Sequence, residues 1–81
     1  MQYPKNKSES KFIMFEVESS NIKAIGYDSK KWILRIQFKA GEMNYDFKGV
    51  NPEKFQQFME AESKGHFFFS KIKGKYQFEK K

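Results

Sequence analysis

The sequence predicts an α+β domain in which an antiparallel meander of three to four strands precedes two helices packed on one face of the sheet. The first observation is the two-residue alternation of Trp32–Phe47 on both sides of a break at 39–41, which is typical of a hairpin with one buried face. Helix-start signals after Gly49 are the second. The third is composition: in 81 residues with no cysteine and ten phenylalanines, aromatic side chains are expected to hold a small core together.

The four strands are expected at 12–17, 22–28, 32–39 and 42–48. Gly26, inside the second strand, indicates a bulge or a close approach of another backbone segment. The carboxylates of Glu42 and Asp46 are expected on the exposed side as solubilising charges. Alternation puts Ile13, Phe15 and Val17 on one side of the first strand, and it puts Ile25 and Tyr27 on one face of the second strand with Ile22 and Ala24 on the other. In the hairpin, the alternating positions expected to form the buried face are Trp32, Leu34, Ile36, Phe38, Met43, Tyr45 and Phe47.

The two helices are expected at 52–62 and 66–73. Asn51 is a good N-cap and Pro52 fits the first helical position. Phe55, Phe58 and Met59 form a stripe at helical spacing that faces the sheet. Ser63 is the expected cap of the second helix, whose inward side consists of Phe68, Phe69, Ile72 and Tyr76. Three consecutive rings cannot face one way on a helix, so Phe67 is expected to be exposed or at an edge.

The chain is expected to form one domain at 12–78, with a flexible segment at 1–11 and a basic tail at 79–81. Neither a signal peptide nor a membrane-spanning run is indicated. The absence of cysteine suits a reducing compartment. The expectation is a cytoplasmic protein without membrane contact.

The residues needed for catalysis are scarce. His66 is the only imidazole and has no carboxylate beside it in the sequence, which favours a surface or helix-start position. No residues stand at metal-ligand spacing, and the five glycines form no phosphate-binding motif. We therefore expect no catalytic residue, no metal and no cofactor, and we interpret the protein as non-enzymatic.

The net charge of +6 is concentrated near the end of the chain, where residues 64–81 contain six lysines and a single carboxylate, Glu79. Lys71, Lys73 and Lys75 alternate with Ile72, Gly74 and Tyr76, a mixture that suits a phosphate backbone with rings beside it. A solvated lysine-rich tail is the alternative. Since Arg35 is the only arginine, any nucleic-acid contact is expected to be sequence-tolerant.

A series of short motifs runs in order through most of the chain: Glu18-Ser19-Ser20-Asn21-Ile22, Ala24-Ile25-Gly26-Tyr27-Asp28, Leu34, Phe38, Gly41, Tyr45-Asp46-Phe47, Val50, Ala61-Glu62-Ser63-Lys64-Gly65-His66-Phe67-Phe68, Ile72-Lys73 and Tyr76. On these residues the chain from about Val17 to Phe78 resembles the KTSC domain, a short module at the C-terminus of some lysyl-tRNA synthetases. The family pattern has Tyr-x-Tyr where this chain has Tyr45-Asp46-Phe47, so the second hydroxyl is missing. The resemblance implies a module that also occurs as small stand-alone proteins of bacteria and phages. It suggests RNA binding through the synthetase context and supplies no catalytic residues.

The leading hypothesis is a binding module for RNA or another nucleic acid. Phosphate contact is predicted for Lys71, Lys73 and Lys75, base stacking for Tyr76 or Tyr45, and polar contact for Ser19, Ser20 and Asn21. The alternative is a protein-interaction module, such as a bacterial or phage adaptor or inhibitor. It would bind an acidic partner through the basic face formed by the lysines of residues 64–81 and through Phe67. A third possibility is a pocket for a small anionic ligand near 63–66. The sequence leaves open the strand order, the oligomeric state, and whether Tyr45 and Phe67 are core or contact residues.

Overall fold

The computed structural model describes residues 13–41 and 43–81, which form a five-stranded antiparallel sheet covered on one face by two helical segments. The predicted flexible segment 1–11 lies outside the described residues, as do Phe12 and Glu42. In chain order the elements are β1 (Phe15–Glu16), β2 (Ile22–Asp28), β3 (Ile33–Phe38), β4 (Asn44–Lys48), α1 (Pro52–Glu60), α2 (Lys64–Phe67), a π-helical turn (Phe68–Ile72) and β5 (Phe78–Lys80). The strands lie side by side in sequence order. The predicted α+β class is confirmed.

The core lies between the sheet and the helical layer. Cross-strand pairing places Leu34 opposite Phe47 and Ile36 opposite Tyr45, as the alternation predicts. Helix α1 contributes Phe58, and the π-helical turn contributes Phe68 and Ile72. The buried apolar cluster consists of Ile22, Ile25, Leu34, Ile36, Phe47, Val50, Phe58, Phe68 and Ile72.

Strand β2 contains a bulge, but not at Gly26. The register shifts between Ile22 and Ala24, so that Ile22 and Ile25 both reach the core although they are three residues apart. Gly26 instead permits a close approach. A Cβ there would lie 2.6 Å from Met14 Sδ and 3.2 Å from the Ile13 carbonyl oxygen. Of the two interpretations of this glycine, the close approach is the correct one.

Three strands are shorter than predicted, since β3 spans Ile33–Phe38 rather than 32–39 and β4 spans Asn44–Lys48 rather than 42–48. The first strand shrinks from 12–17 to Phe15–Glu16, and both Ile13 and Phe15 are exposed. Trp32 lies in the turn before β3, with a φ of 58°, and is exposed. Its carbonyl accepts hydrogen bonds from the amides of Gly49 and Val50, both at 3.0 Å. The turn therefore uses the Trp32 backbone and leaves its ring outside the core.

Helix α1 begins where its local signals place it. The Asn51 side chain accepts a hydrogen bond from the Lys54 amide at 2.8 Å, and Pro52 occupies the first turn. The helix ends at Glu60 rather than at residue 62, because Ala61 adopts an extended conformation. Phe58 is fully buried, whereas Phe55 stacks on Tyr27 with ring centroids 4.4 Å apart. Both rings cover the sheet as predicted.

The end of the chain is a strand rather than the expected basic tail. Strand β5 pairs with β4 and places Phe78 opposite Phe47. The Phe78 ring packs at 5.4 Å from Phe47 and 5.6 Å from Tyr45. Glu79 forms ion pairs with Lys48 and Lys81, and the hydrogen bond from Lys48 is the main cause that lowers its pKa. These contacts hold an otherwise charged segment at the edge of the sheet.

The outer face of the sheet carries a largely buried ion pair. Arg35 donates two hydrogen bonds to the Asp46 carboxylate, at 2.6 and 2.8 Å, across β3 and β4. Asp46 is only 4% exposed, so its expected role as a solubilising surface charge is wrong. The hydrogen bond to Asp46 raises the pKa of Arg35. The only arginine of the chain is thus engaged within the fold.

Candidate functional site

An apolar groove lies between the sheet and the π-helical turn. Its volume is about 300 Å³. Strands β3, β4 and β5 supply one wall, and the residues from the π-helical turn to Gly74 supply the other. The residues lining this aromatic groove are Phe38, Ala40, Tyr45, Phe47, Phe68, Phe69, Lys73, Gly74 and Phe78. A mostly apolar depression with a few polar groups at its rim is the usual form of a ligand site.

Tyr45 belongs partly to the core and partly to the groove. Its half-buried ring meets the ring of Phe38 edge-on at 5.5 Å and lies tilted against that of Phe78 at 5.6 Å. Its hydroxyl has no hydrogen-bond partner within residues 13–41 and 43–81. The ring is therefore fixed by packing while the hydroxyl is free for a ligand.

The second helical segment exposes Phe69 rather than Phe67. Ser63 caps α2 as predicted, by accepting the His66 amide at 3.2 Å, but α2 begins at Lys64 instead of residue 66. Phe67 stacks on Phe58 at 5.3 Å, and Phe68 meets Phe47 edge-on at 5.5 Å. With these two rings turned inward, the third must point outward, and Phe69 is 51% exposed. The expectations for Phe67 and Phe69 are both wrong for this reason.

A lysine lies over the exposed ring. The Lys73 ammonium is 5.1 Å from the centroid of Phe69, within the range of a cation–π contact. Gly74 follows with a φ of 80°, a conformation that glycine adopts without steric cost, and turns the chain away from the helix. The helix end thus places one cation and one ring together at the rim of the groove.

The other predicted contact residues of this segment do not line the groove. Lys71 and Lys75 are exposed on the same segment but do not line the groove. Tyr76 is half-buried and packs against the core near Tyr27, whose hydroxyl donates to the Val50 carbonyl. The pKa of Tyr27 is raised by burial, then by the charge of Asp28 and the proximity of Tyr76. The structure therefore separates Tyr76 from the groove and keeps Tyr45 in it.

A second depression, also of about 300 Å³, lies beside the groove and is polar. It forms where the loop before β2 meets the segment that joins α1 to α2. A Cβ on Gly65 would be 3.7 Å from Ser19 Oγ, which shows how closely the two segments approach. The residues lining this polar cleft are Glu18, Ser19, Ser20, Asn21, Glu62, Ser63, Lys64, Gly65, His66 and Phe69. The predicted contacts Ser19, Ser20 and Asn21 are thus brought together in one site.

The loop side of the polar cleft is held by its own hydrogen bonds. Ser19 Oγ accepts the amides of Asn21 and Ile22, both at 3.2 Å. Ser20 Oγ donates to Asn21 Oδ1 at 2.7 Å. These short-range bonds fix the loop in a turn, as its serine and asparagine content predicts.

The groove and the cleft form one continuous surface. Phe69 lines both depressions. A third depression at Lys39 shares Phe38 and Ala40 with the groove and shares Ser20 and Asn21 with the cleft. A ligand of several units can therefore follow the surface from the aromatic groove across Phe69 to the polar residues.

Sequence reasoning missed several residues of this surface. The spacing of the second helix predicts Phe69 in the core, and Phe78 is only the expected last residue of the domain. No contact is predicted for Glu62. The signal for Phe78 is present in the sequence, since Tyr76 and Phe78 alternate with Gln77 and Glu79, which is a strand-like spacing.

The described part of the chain shows no group of three or more potential metal ligands. Within the same residues, no helix has the length and apolarity required to cross a bilayer.

The sequence and the fold match known proteins. The model of the KTSC domain family matches residues 18–76, which include the whole polar cleft and all of the groove except Phe78. Over 64 residues the chain is 39% identical to a protein of Tsukamurella paurometabola, a match that covers 79% of this chain and 94% of that protein. Over 68 residues it is 37% identical to a lysine–tRNA ligase of Nostoc punctiforme, and the match covers 84% of this chain but 12% of the ligase.

A crystal structure shows the same fold. A KTSC domain protein from Yersinia pestis superposes with a TM-score of 0.84 at 41% sequence identity. The superposition covers 88% of this chain and 99% of the Yersinia chain.

Proposed function

The chain belongs to the KTSC domain family, and on that premise we propose that it is a non-enzymatic module that binds single-stranded nucleic acid on its aromatic groove. The observation that carries the proposal is the pairing of exposed rings with a lysine at one rim. Phe69 and Phe78 are 51% and 55% exposed, and Lys73 lies over the first of them. Rings for bases beside cations for phosphates are the usual components of a single-strand site.

The groove suits unpaired bases better than a duplex. Bases in a duplex are stacked on each other, whereas an unpaired base can lie flat on an aromatic side chain. Stacking of this kind contributes about 1–3 kcal/mol per base and tolerates any base, because every base has a π-face. Tyr45 adds a ring with a free hydroxyl beside Phe78. The expected binding is therefore single-stranded and weakly dependent on sequence.

The charges near the groove support the same conclusion. Lys71, Lys73 and Lys75 are exposed along one segment, where a phosphate backbone can contact them. Arg35, which would be the natural reader of guanine, is tied to Asp46 on the outer face of the sheet. We therefore expect the protein to contact the phosphate backbone of the nucleic acid without recognising individual bases.

The relative from Nostoc punctiforme adds support from its name. It is a lysine–tRNA ligase, and the matched segment is 12% of its length. The name associates that enzyme with tRNA. We extend that association to this chain as part of the proposal.

A titration of fluorescently labelled single-stranded RNA tests the proposal. We expect binding at low salt that weakens as salt rises, since lysines release counterions from the phosphates. The variant K71E/K73E should abolish it. The variant K30E/K31E reverses two exposed lysines in the turn before β3 and serves as the matched control, which should retain most of the affinity. Failure of the wild-type protein to bind at low salt would refute the proposal, as would equal losses in the two variants.

A second candidate is a protein-interaction module for an acidic, partly apolar partner. The observation in its favour is that Phe69 and Phe78 are exposed next to the lysines. Phe67, the ring expected to contact the partner, is stacked on Phe58 instead, so Phe69 takes its place in this candidate function. A purified partner that survives nuclease treatment, binds at one-to-one stoichiometry and is lost on Phe69→Ala would favour this function. Competition by single-stranded RNA would show which ligand holds the groove.

A further inference from the structure

We propose that the polar cleft binds the ribose of the nucleotide next to the aromatic groove and thereby makes the module selective for RNA over DNA. This inference rests on the proposed function. It assigns a separate task to residues outside the groove, namely recognition of the 2′-hydroxyl, which is the group that distinguishes the two nucleic acids.

Phe69 determines the position of the sugar. It lines both the groove and the cleft, and its side chain is exposed. A base that stacks on this ring carries its ribose at the edge of the base, so the sugar lies at the boundary between the two depressions. The cleft is thus the nearest polar surface available to a 2′-hydroxyl.

The cleft contains the groups that a hydroxyl requires. Within the described residues, the carboxylates of Glu18 and Glu62 have neither an ion-pair nor a hydrogen-bond partner. Each can therefore accept a hydrogen bond from the 2′-hydroxyl. Ser19 Oγ accepts two backbone amides and retains its own proton for donation. Acidic side chains hold ribose 2′-hydroxyls in the same manner in dinucleotide-binding folds. Donor and acceptor are therefore both present.

The charge of the cleft favours a hydroxyl over a phosphate. Two carboxylates, Glu18 and Glu62, face one ammonium, Lys64, whose Nζ already donates to the Ala61 carbonyl at 2.7 Å. An anion would meet a net negative surface there. The expected pocket for a small anionic ligand near 63–66 is therefore better assigned to a neutral, hydroxyl-bearing group.

The test compares one base sequence on three backbones. Short oligouridylate, its 2′-deoxy form and its 2′-O-methyl form are titrated against the wild-type protein at equal salt. One or two hydrogen bonds to the 2′-hydroxyl correspond to roughly a 2- to 10-fold preference for RNA. The methyl ether cannot donate, so its affinity should match that of the deoxy form.

The variant E18A/E62A removes the acceptors. We expect it to bring the RNA-to-DNA affinity ratio to about one while DNA affinity stays equal or rises, since two negative charges are lost. The variant E53A/E60A removes two exposed charges from α1 and is the matched control, in which the ratio should not change. Circular dichroism confirms that each variant is folded.

The outcomes separate the two proposals. Equal affinity of the wild-type protein for RNA and DNA would overturn the ribose assignment, as would a preference that survives E18A/E62A, and either would leave the groove proposal intact. Absence of binding to all three probes would refute both. A preference that is lost in E18A/E62A and kept in E53A/E60A is the supporting result.

Discussion

Removal of Arg35 should destabilise the protein without weakening nucleic-acid binding. The Arg35–Asp46 pair lies on the outer face of the sheet, whereas the groove faces the helical layer. Arg35→Met removes the arginine from a carboxylate whose side chain is only 6% exposed, whereas Asp46→Asn places a neutral amide beside a guanidinium that is 24% exposed. The cost of the two changes should therefore be unequal.

The magnitude follows from burial and from the two hydrogen bonds. Breaking a fully buried pair costs about 3–5 kcal/mol, while an exposed pair contributes about 0–1 kcal/mol. Because the carboxylate is buried, we expect Arg35→Met to lower the free energy of unfolding by about 3 kcal/mol, the lower end of the range for a fully buried pair. The partly hydrated guanidinium, together with the acceptor that asparagine retains, puts Asp46→Asn at about 1–2 kcal/mol. A domain of this size has a total stability of about 4–12 kcal/mol, so the first change is severe.

The double variant R35M/D46L provides the control. An apolar pair of similar volume leaves no uncompensated charge, so we expect its stability within about 1 kcal/mol of the wild type. Urea denaturation followed by circular dichroism gives the free energies of unfolding, and the titration of labelled RNA gives the affinity. If R35M/D46L were as stable as the wild type but bound RNA far more weakly, Arg35 would be a contact residue and the assignment to the fold would be wrong.

Three further changes test local features of the fold. Gly26→Ala places a methyl group 2.6 Å from Met14 Sδ and should cost about 1–3 kcal/mol in urea denaturation, a loss that Met14→Ala should partly restore. An unchanged midpoint would contradict the close approach. Asn51→Ala removes the cap of α1 and should lower stability by about 0.5–2 kcal/mol in thermal unfolding; no loss would mean that the cap is replaced. Burial raises the pKa of Tyr27, so the folded protein keeps this proton after the unfolded chain has lost it. Stability should therefore fall as pH rises above about 10, and less so in Tyr27→Phe. An identical alkaline loss in both proteins would contradict this assignment.

Features encoded within a few residues were predictable from the sequence. The start of α1 depends on Asn51 and Pro52 alone, and both act as expected. The alternation in β3 and β4 places Leu34 and Ile36 in the core because a strand with one buried face leaves no other register. The loop at Ser19–Asn21 likewise contains its own hydrogen bonds.

Features that depend on distant partners were not predictable. Trp32 continues the alternation in sequence, but its carbonyl accepts two amides from residues 49 and 50, and this contact leaves its ring outside the sheet. Which of the three consecutive phenylalanines is exposed is decided by Phe58 and Phe47, which lie outside this run and pack against Phe67 and Phe68. Strand β5 exists because β4 offers a free edge. Each of these is decided by packing rather than by local pattern.

The exposure of Phe69 and Phe78 is itself an argument for function. A domain without disulfides relies on aromatic burial, and ten phenylalanines provide more rings than the buried cluster uses. Single exposed apolar residues are common, but here two rings flank one groove with a lysine over one of them. Substituting Phe68 should unfold the protein, whereas substituting Phe69, one position later, should spare the fold and weaken ligand binding. Under the proposed function, the fold places a core residue and a ligand-contacting residue side by side, and the π-helical turn directs the two rings to different sides.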